Sequence, residues 1–283
     1  MRTRALPQLF VAFFLSASSL SAQEVVFSRR VYAPTGRTYQ QLWVWSAPDG
    51  HLTQLTESAR EHHHPACSMD GSRIFFQSDD LPSGSWQLDR ATRREARTDP
   101  ATRDRETRTG SAPNPRVPIC DADTQSLSPD RTMVACAVGG RSVVIVDAAT
   151  QEERARIPFG QLYSNGQPYP DWPLEVSWSR DARLLLVGTY GENSSSSSDF
   201  LDYFLLDVAA HTWTRAMSGN DPIWLPDSRS IVYSTPRDLV PLTPADEHHV
   251  WSSQLARYDL ASHRESLLTS GVTNNEQPAL CVR

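Results

Sequence analysis

The residues best placed to do chemistry are two histidine clusters, four cysteines and a scatter of acids. His62-His63-His64 and His248-His249 are the strongest metal candidates, because imidazole suits zinc and similar ions. Adjacent residues of an extended segment face opposite sides, so three consecutive histidines do not offer three ligands to one ion. A polar loop entering a strand is the simpler reading. His62, His64, His248 and His249 become ligands only if the two clusters meet across the fold. Asp121-Ala122-Asp123-Thr124-Gln125 opens like a calcium loop, but Ser126 stands where the loop needs glycine and Thr132 where it needs glutamate. There is no Gly-x-Ser-x-Gly elbow, no His-Glu-x-x-His, no paired Cys-x-x-Cys and no glycine-rich phosphate loop. All 27 basic residues are arginine, which removes Schiff-base chemistry and the phosphate-loop lysine. The sequence therefore assigns no catalytic residue and no cofactor.

The elements that carry these residues are repeats. Ser68-Met69-Asp70-Gly71, Ser128-Pro129-Asp130-Arg131, Ser179-Arg180-Asp181-Ala182 and Leu225-Pro226-Asp227-Ser228 each precede a β-rich run such as Arg73-Ile74-Phe75-Phe76. Aspartate in a tight turn accepts hydrogen bonds from the amides that follow it, so it punctuates strand pairs. A second aspartate closes a later apolar strand in each unit, at Asp89, Asp147, Asp207 and Asp259. Four short strands in each unit of about 50 residues is the pattern of a propeller blade. The expected fold is all-β, a single β-propeller of four-stranded blades, with no helix of useful length after the first residues.

Pro65-Ala66-Cys67-Ser68-Met69-Asp70-Gly71-Ser72-Arg73-Ile74-Phe75-Phe76 resembles the TolB-like (PD40, WD40-like) repeat. In that repeat a Pro-Ala-Trp-Ser-Pro-Asp-Gly-Lys stretch leads into an apolar strand. Trp178-Ser179 and Ser128-Pro129-Asp130 match further pieces, and Leu55-Thr56 and Leu268-Thr269 resemble its Leu-Thr ending. The resemblance implies a propeller that binds a protein or peptide partner in the cell envelope. The separate α/β domain that usually precedes a TolB propeller finds no room before Val25.

The ends of the chain fit one blade. Glu24-Val25-Val26-Phe27 reads as a second strand lacking a first, and Gln277-Pro278-Ala279-Leu280-Cys281 supplies a first strand with no second. Five blades result, closed by pairing of the N- and C-terminal strands. If a disulfide forms, Cys120–Cys136 is expected, because the two flank the Ser128–Asp130 turn, about three residues from direct opposition. Cys67 and Cys281 fall on first strands of different blades and are expected as free, buried thiols.

Residues 1–22 have the layout of a secretory signal: Arg2 and Arg4, an apolar run from Leu6 to Leu15, then small residues to Ala22. The run is too short for a transmembrane anchor, so a periplasmic or secreted domain spanning 23–283 is expected. The leader holds two of the 27 arginines and no acid. The remainder carries 25 arginines against 33 acids, a net of −8, which disfavours nucleic acid. The arginine-rich stretch Arg90 to Arg116 reads as a solvated connection rather than a basic patch.

Turns between first and second strands, and between third and fourth, are short; the other connections are long and share the opposite face. Long loops on a rigid scaffold are where binding resides. That face collects His62, Tyr163, Asn165, Tyr169, Asp171, Trp172, Asn220, Asp221, Asn275 and Glu276. Such aromatic, amide and acidic groups suit a peptide, a protein loop or a sugar. Tyr169 and Trp172 flank Pro170 and are the expected aromatic anchors, although Trp172 equally fits packing between blades. The rival class is a hydrolase or polysaccharide lyase using histidine and carboxylate at the ring mouth.

Overall fold

The computed structural model describes residues 23–282, apart from 35, 37, 48, 80–82, 108–124, 139–141, 163–165, 168–172, 191–199 and 246. The architecture is a β-propeller of four-stranded antiparallel blades. In the first, β1 (Gln23–Val31), β2 (Gln41–Ser46) and β3 (His51–Gln54) are joined by the chain's last strand, β21 (Thr273–Val282), in the order β21-β1-β2-β3. Val25 lies opposite Leu280 and Val26 opposite Ala279, so the two ends of the chain share one sheet. The second unit is β4 (His63–Cys67), β5 (Arg73–Ser78), β6 (Gly84–Asp89) and β7 (Glu95–Arg97); the third is β8 (Gln125–Leu127), β9 (Met133–Val138), β10 (Ser142–Asp147) and β11 (Glu153–Pro158).

The remaining two units are fused. A seven-stranded sheet runs β12 (Pro173–Trp178), β13 (Leu184–Tyr190), β14 (Leu201–Asp207), β15 (Thr212–Trp224), β16 (Ser230–Ser234), β19 (Leu255–Asp259), β20 (Arg264–Leu267). The first part of β15 pairs with β14 through Gly219, and its second part pairs with β16 from Asn220. One strand is thus the outer edge of one unit and the inner edge of the next. At the crossing, a Cβ on Gly219 would collide with the Ser234 carbonyl and the Tyr233 ring. Only glycine allows the approach.

Central strands are apolar on both faces because blades pack on both sides; β16 is buried at every position, whereas outermost β20 is exposed throughout. The aspartate turns work as their sequence suggests. Ser68 Oγ donates to Asp70 at 2.6 Å and accepts the Arg73 amide at 2.9 Å. Ser128 repeats this with Asp130 and Met133, and Ser179 with Asp181 and Leu184. Hydrogen bonds from Ser68 and Ser72 hold the Asp70 carboxyl down at about 2. The Leu-Thr ending is also a stitch. Thr56 Oγ1 accepts the Leu42 amide and donates to Gln41, and Thr269 does the same with Leu255 and Gln254.

Three expectations need correction. Cys67 and Cys281 are not free thiols; they form a disulfide with Cα atoms 5.4 Å apart. The reason is that β4 and β21 are inner strands of neighbouring units and lie side by side. Cys136 is also disulfide-bonded, while its expected partner Cys120 lies outside the described residues. Within the arginine-rich stretch stands a helix, α1 (Pro100–Thr107), with Asp99 as its cap, accepting the Thr102 amide at 2.8 Å, and Pro100 in its first turn. It buries no side chain and is held by ion pairing of Glu106 with Arg73 at 2.7 Å and by Arg103 donating to the His64 carbonyl. Finally, the connection after β16 folds into a hairpin, β17 (Asp238–Pro241) and β18 (His249–Ser252).

Candidate functional site at the mouth of the inner strands

The inner strands converge on the long-loop face at a ring of matched positions. His64 on β4, Asp221 on β15 and Gln277 on β21 each precede a proline and each sit at a bulge with positive φ, 49°, 51° and 55°. Non-glycine residues avoid this region unless the surroundings enforce it, and such strain collects at functional sites. Here the enforcement is a relay between neighbours. Asp221 Oδ2 accepts the Gln277 amide at 3.1 Å, and Gln277 Oε1 accepts the His64 amide at 2.7 Å. Glu175 occupies the corresponding level on β12.

Glu175 receives the Tyr203 hydroxyl at 2.7 Å. With Gln125, Ser177 and Pro222 these residues line a cleft of about 220 Å³ between inner strands of three units. Desolvation raises the Glu175 carboxyl above its usual range, with the Asp221 charge adding to it and the Tyr203 bond opposing. Desolvation likewise raises Asp221, reinforced by Glu276. Both carboxylates keep accessible surface, so it is the protein mass around the concave mouth that desolvates them. The Tyr203 phenol is pushed far up by burial and by the Glu175 charge, and it acts as a fixed donor. Gly188 makes room for its ring, since a Cβ there would stand 2.7 Å from Tyr203 Cε1.

A second layer surrounds the ring. Glu276 accepts from Arg237, from Asn274 at 3.0 Å and from Gln40 at 3.3 Å; Arg30 pairs with Glu61 at 2.8 Å. In this second layer each carboxylate has a cationic partner, Glu276 with Arg237 and Glu61 with Arg30.

Of the residues picked from sequence, Asp221 and Glu276 are at the mouth, and Asn220 is half-buried beside them, paired with Ser234. His62 and Asn275 are 0 % exposed and present no surface to a ligand. His62 packs its ring, tilted, against Phe76 and bridges the Gln40 carbonyl and Glu95 at 3.1 and 3.2 Å. Burial alone would raise Glu95, but bonds and charge from His62, with Ser58 and Arg60, hold it low. Asn275 Nδ2 donates to the Ser253 carbonyl and to Thr273. Tyr163, Asn165, Tyr169, Asp171 and Trp172 lie outside the described residues. His248 and His249 are on the β17–β18 hairpin, and the described residues assemble no group of three metal-ligating side chains.

The sequence reading missed that hairpin's surface. Leu239 and Trp251 are directly paired across it and are 55 % and 51 % exposed. Val240, Val250 and Ser252 face the other way and are less exposed. Ser252 donates to the Thr273 carbonyl, which ties the hairpin's base to β21 beside the mouth.

The fold and this ring define a β-propeller whose long-loop face carries a concave polar mouth. No protein-family model and no curated protein matches the sequence. Among solved structures the chain is similar to TolB from Acinetobacter baumannii, with 13% identity and a TM-score of 0.50 over 92% of this chain and 67% of that one. It also aligns with a candidate 6-phosphogluconolactonase from Bacteroides uniformis, with 9% identity and a TM-score of 0.49 over 91% of this chain and 98% of that one. The likeness to TolB establishes a TolB-like propeller fold.

Proposed function

We propose that this chain is an exported, five-bladed TolB-like propeller that seats a protein or peptide partner on its long-loop face. The observation that carries the reading is the Leu239–Trp251 pair, a half-exposed apolar face beside a polar mouth. Exposed aromatic anchors next to satisfied polar groups are the anatomy of a binding surface. Five four-stranded units, counting β15 in two, and the shared first sheet support the ring. The signal-like residues 1–22 and the disulfides fit an oxidising compartment, periplasmic or secreted.

The test compares capture from envelope extracts by the wild type and by Leu239→Ser/Trp251→Ser. The double variant is expected to lose specific partners at least tenfold while melting within about 2 °C of wild type, as surface substitutions do. Unchanged capture would refute the hairpin as the docking element. Fractionation with N-terminal sequencing tests export, and a start near Gln23 or Glu24 is expected.

A further inference from the structure

Arg29 differs from the other arginines of the long-loop face. Arg30 is paired with Glu61 and Arg237 with Glu276, but no carboxylate among the described residues pairs with Arg29. The residue is 9 % exposed. Its Nη2 makes one long bond to the Ser270 carbonyl at 3.3 Å, and Nε and Nη1 are buried without an acceptor. The Trp43 ring lies 4.9 Å from Cζ. A charge withdrawn from water without a counter-charge is costly, and a buried donor without an acceptor calls for an explanation. Burial accordingly lowers the guanidinium pKa.

The same side chain lines a cleft of about 410 Å³ with Val31, Thr38, Tyr39, Trp43 and Glu57. Trp43, one wall of this cleft, packs against the cluster that holds Leu225, Leu255 and Leu268. A larger cleft on the turn face is lined by Arg180, Arg183 and Arg229, but those arginines are exposed and solvated, so nothing there requires an anion.

We propose that the Arg29 cleft binds an organic carboxylate with an apolar body, the carboxylate on the guanidinium and the body against Trp43 and Tyr39. A planar guanidinium matches a carboxylate in charge and geometry. Among the described residues Arg29 is the only cation lining the cleft and Glu57 adds a negative charge, which favours a monoanion over phosphate or a polyanion. The apolar walls favour a ligand that is more than acetate. Two sources share this chemistry: the C-terminus of a peptide ending in an apolar residue, and a small aryl or alkyl acid. The cleft adjoins the layer around the mouth, with Arg29 opposite Asn275 and Gln40 between Tyr39 and Gln41, but the proposal rests on Arg29 and not on the partner reading above.

The test follows the Trp43 indole resonance, assigned with Trp43→Phe, during titration with phenylacetate, phenylacetamide, N-acetyl-Ala-Phe, its C-terminal amide, and inorganic phosphate. Both carboxylates are expected to shift the resonance saturably, and the amides to bind at least tenfold more weakly. Arg29→Met should abolish the response yet melt at the same or a higher temperature, because it removes an uncompensated charge and keeps the aliphatic stem. Tighter binding of the dipeptide acid assigns a peptide C-terminus; equal or tighter binding of phenylacetate assigns a small acid. The proposal is overturned if neither carboxylate binds saturably, if phosphate binds as well as they do, or if Arg29→Met responds like wild type. Lowered melting of Arg29→Met together with no wild-type binding would mark Arg29 as a packing residue.

Discussion

Replacing both Cys67 and Cys281 by alanine should lower the melting temperature by roughly 10 °C. The bridge spans 214 residues. Loop-closure entropy for a ring of that length is about 18 cal/mol/K, or about 5 kcal/mol at 25 °C. Over the folded span 23–282, an unfolding entropy of about 2 cal/mol/K per residue turns this into roughly 10 °C. The native fold should persist, because the pairing of β1 with β21 does not need the bridge. Calorimetry or circular dichroism on the non-reduced double variant reads the shift directly. Reducing the wild type should cost more than the double variant, since it also opens the disulfide of Cys136. A loss below about 3 °C in the double variant would refute the loop-entropy reasoning. Loss of native strand content would show that the bridge holds β21 in place.

Three other outcomes are expected. Glu175→Gln should raise the melting temperature at neutral pH and lose that advantage by pH 4: a carboxyl raised from 4.5 weakens the fold as pH climbs through its folded value, and glutamine does not titrate. A gain that grows toward acid would contradict the sign. Gly219→Ala should cost about 1–3 kcal/mol by denaturant titration, because its Cβ meets backbone as well as the Tyr233 ring. Removal of residues 278–283 should destabilise the whole domain in thermal melts, since it strips the partner of Val25 and Val26.

Much of this fold was legible because its punctuation is local. Asp70, Asp130, Asp181 and Asp227 act on amides two or three residues away, so sequence spacing carries the whole interaction. The pairing of the chain ends was readable for a different reason: each end lacked what the other had. The Cys67–Cys281 bridge was not, because it depends on how close neighbouring inner strands come, which no single repeat encodes. Helix α1 has no apolar period to find, yet the Asp99-Pro100 pair was a start signal in plain view. The mouth was partly legible. Asp221 and Glu276 were picked from their loop assignment, while His62 and Asn275 came with them and turned out to be buried. The better signal was the recurrence of a residue before proline in His64-Pro65, Asp221-Pro222 and Gln277-Pro278. The Arg29 cleft has no linear signature, since its orphaned charge exists only once the sheets are stacked.

The sheet shared by β1 and β21 also sets a clock. Val25 waits for Leu280, which a ribosome working at about 5–20 residues per second adds roughly 10–50 s later. Throughout that interval the apolar strand Val25–Phe27 can pair on one edge only, with β2. The first unit cannot be completed until β21 has been made.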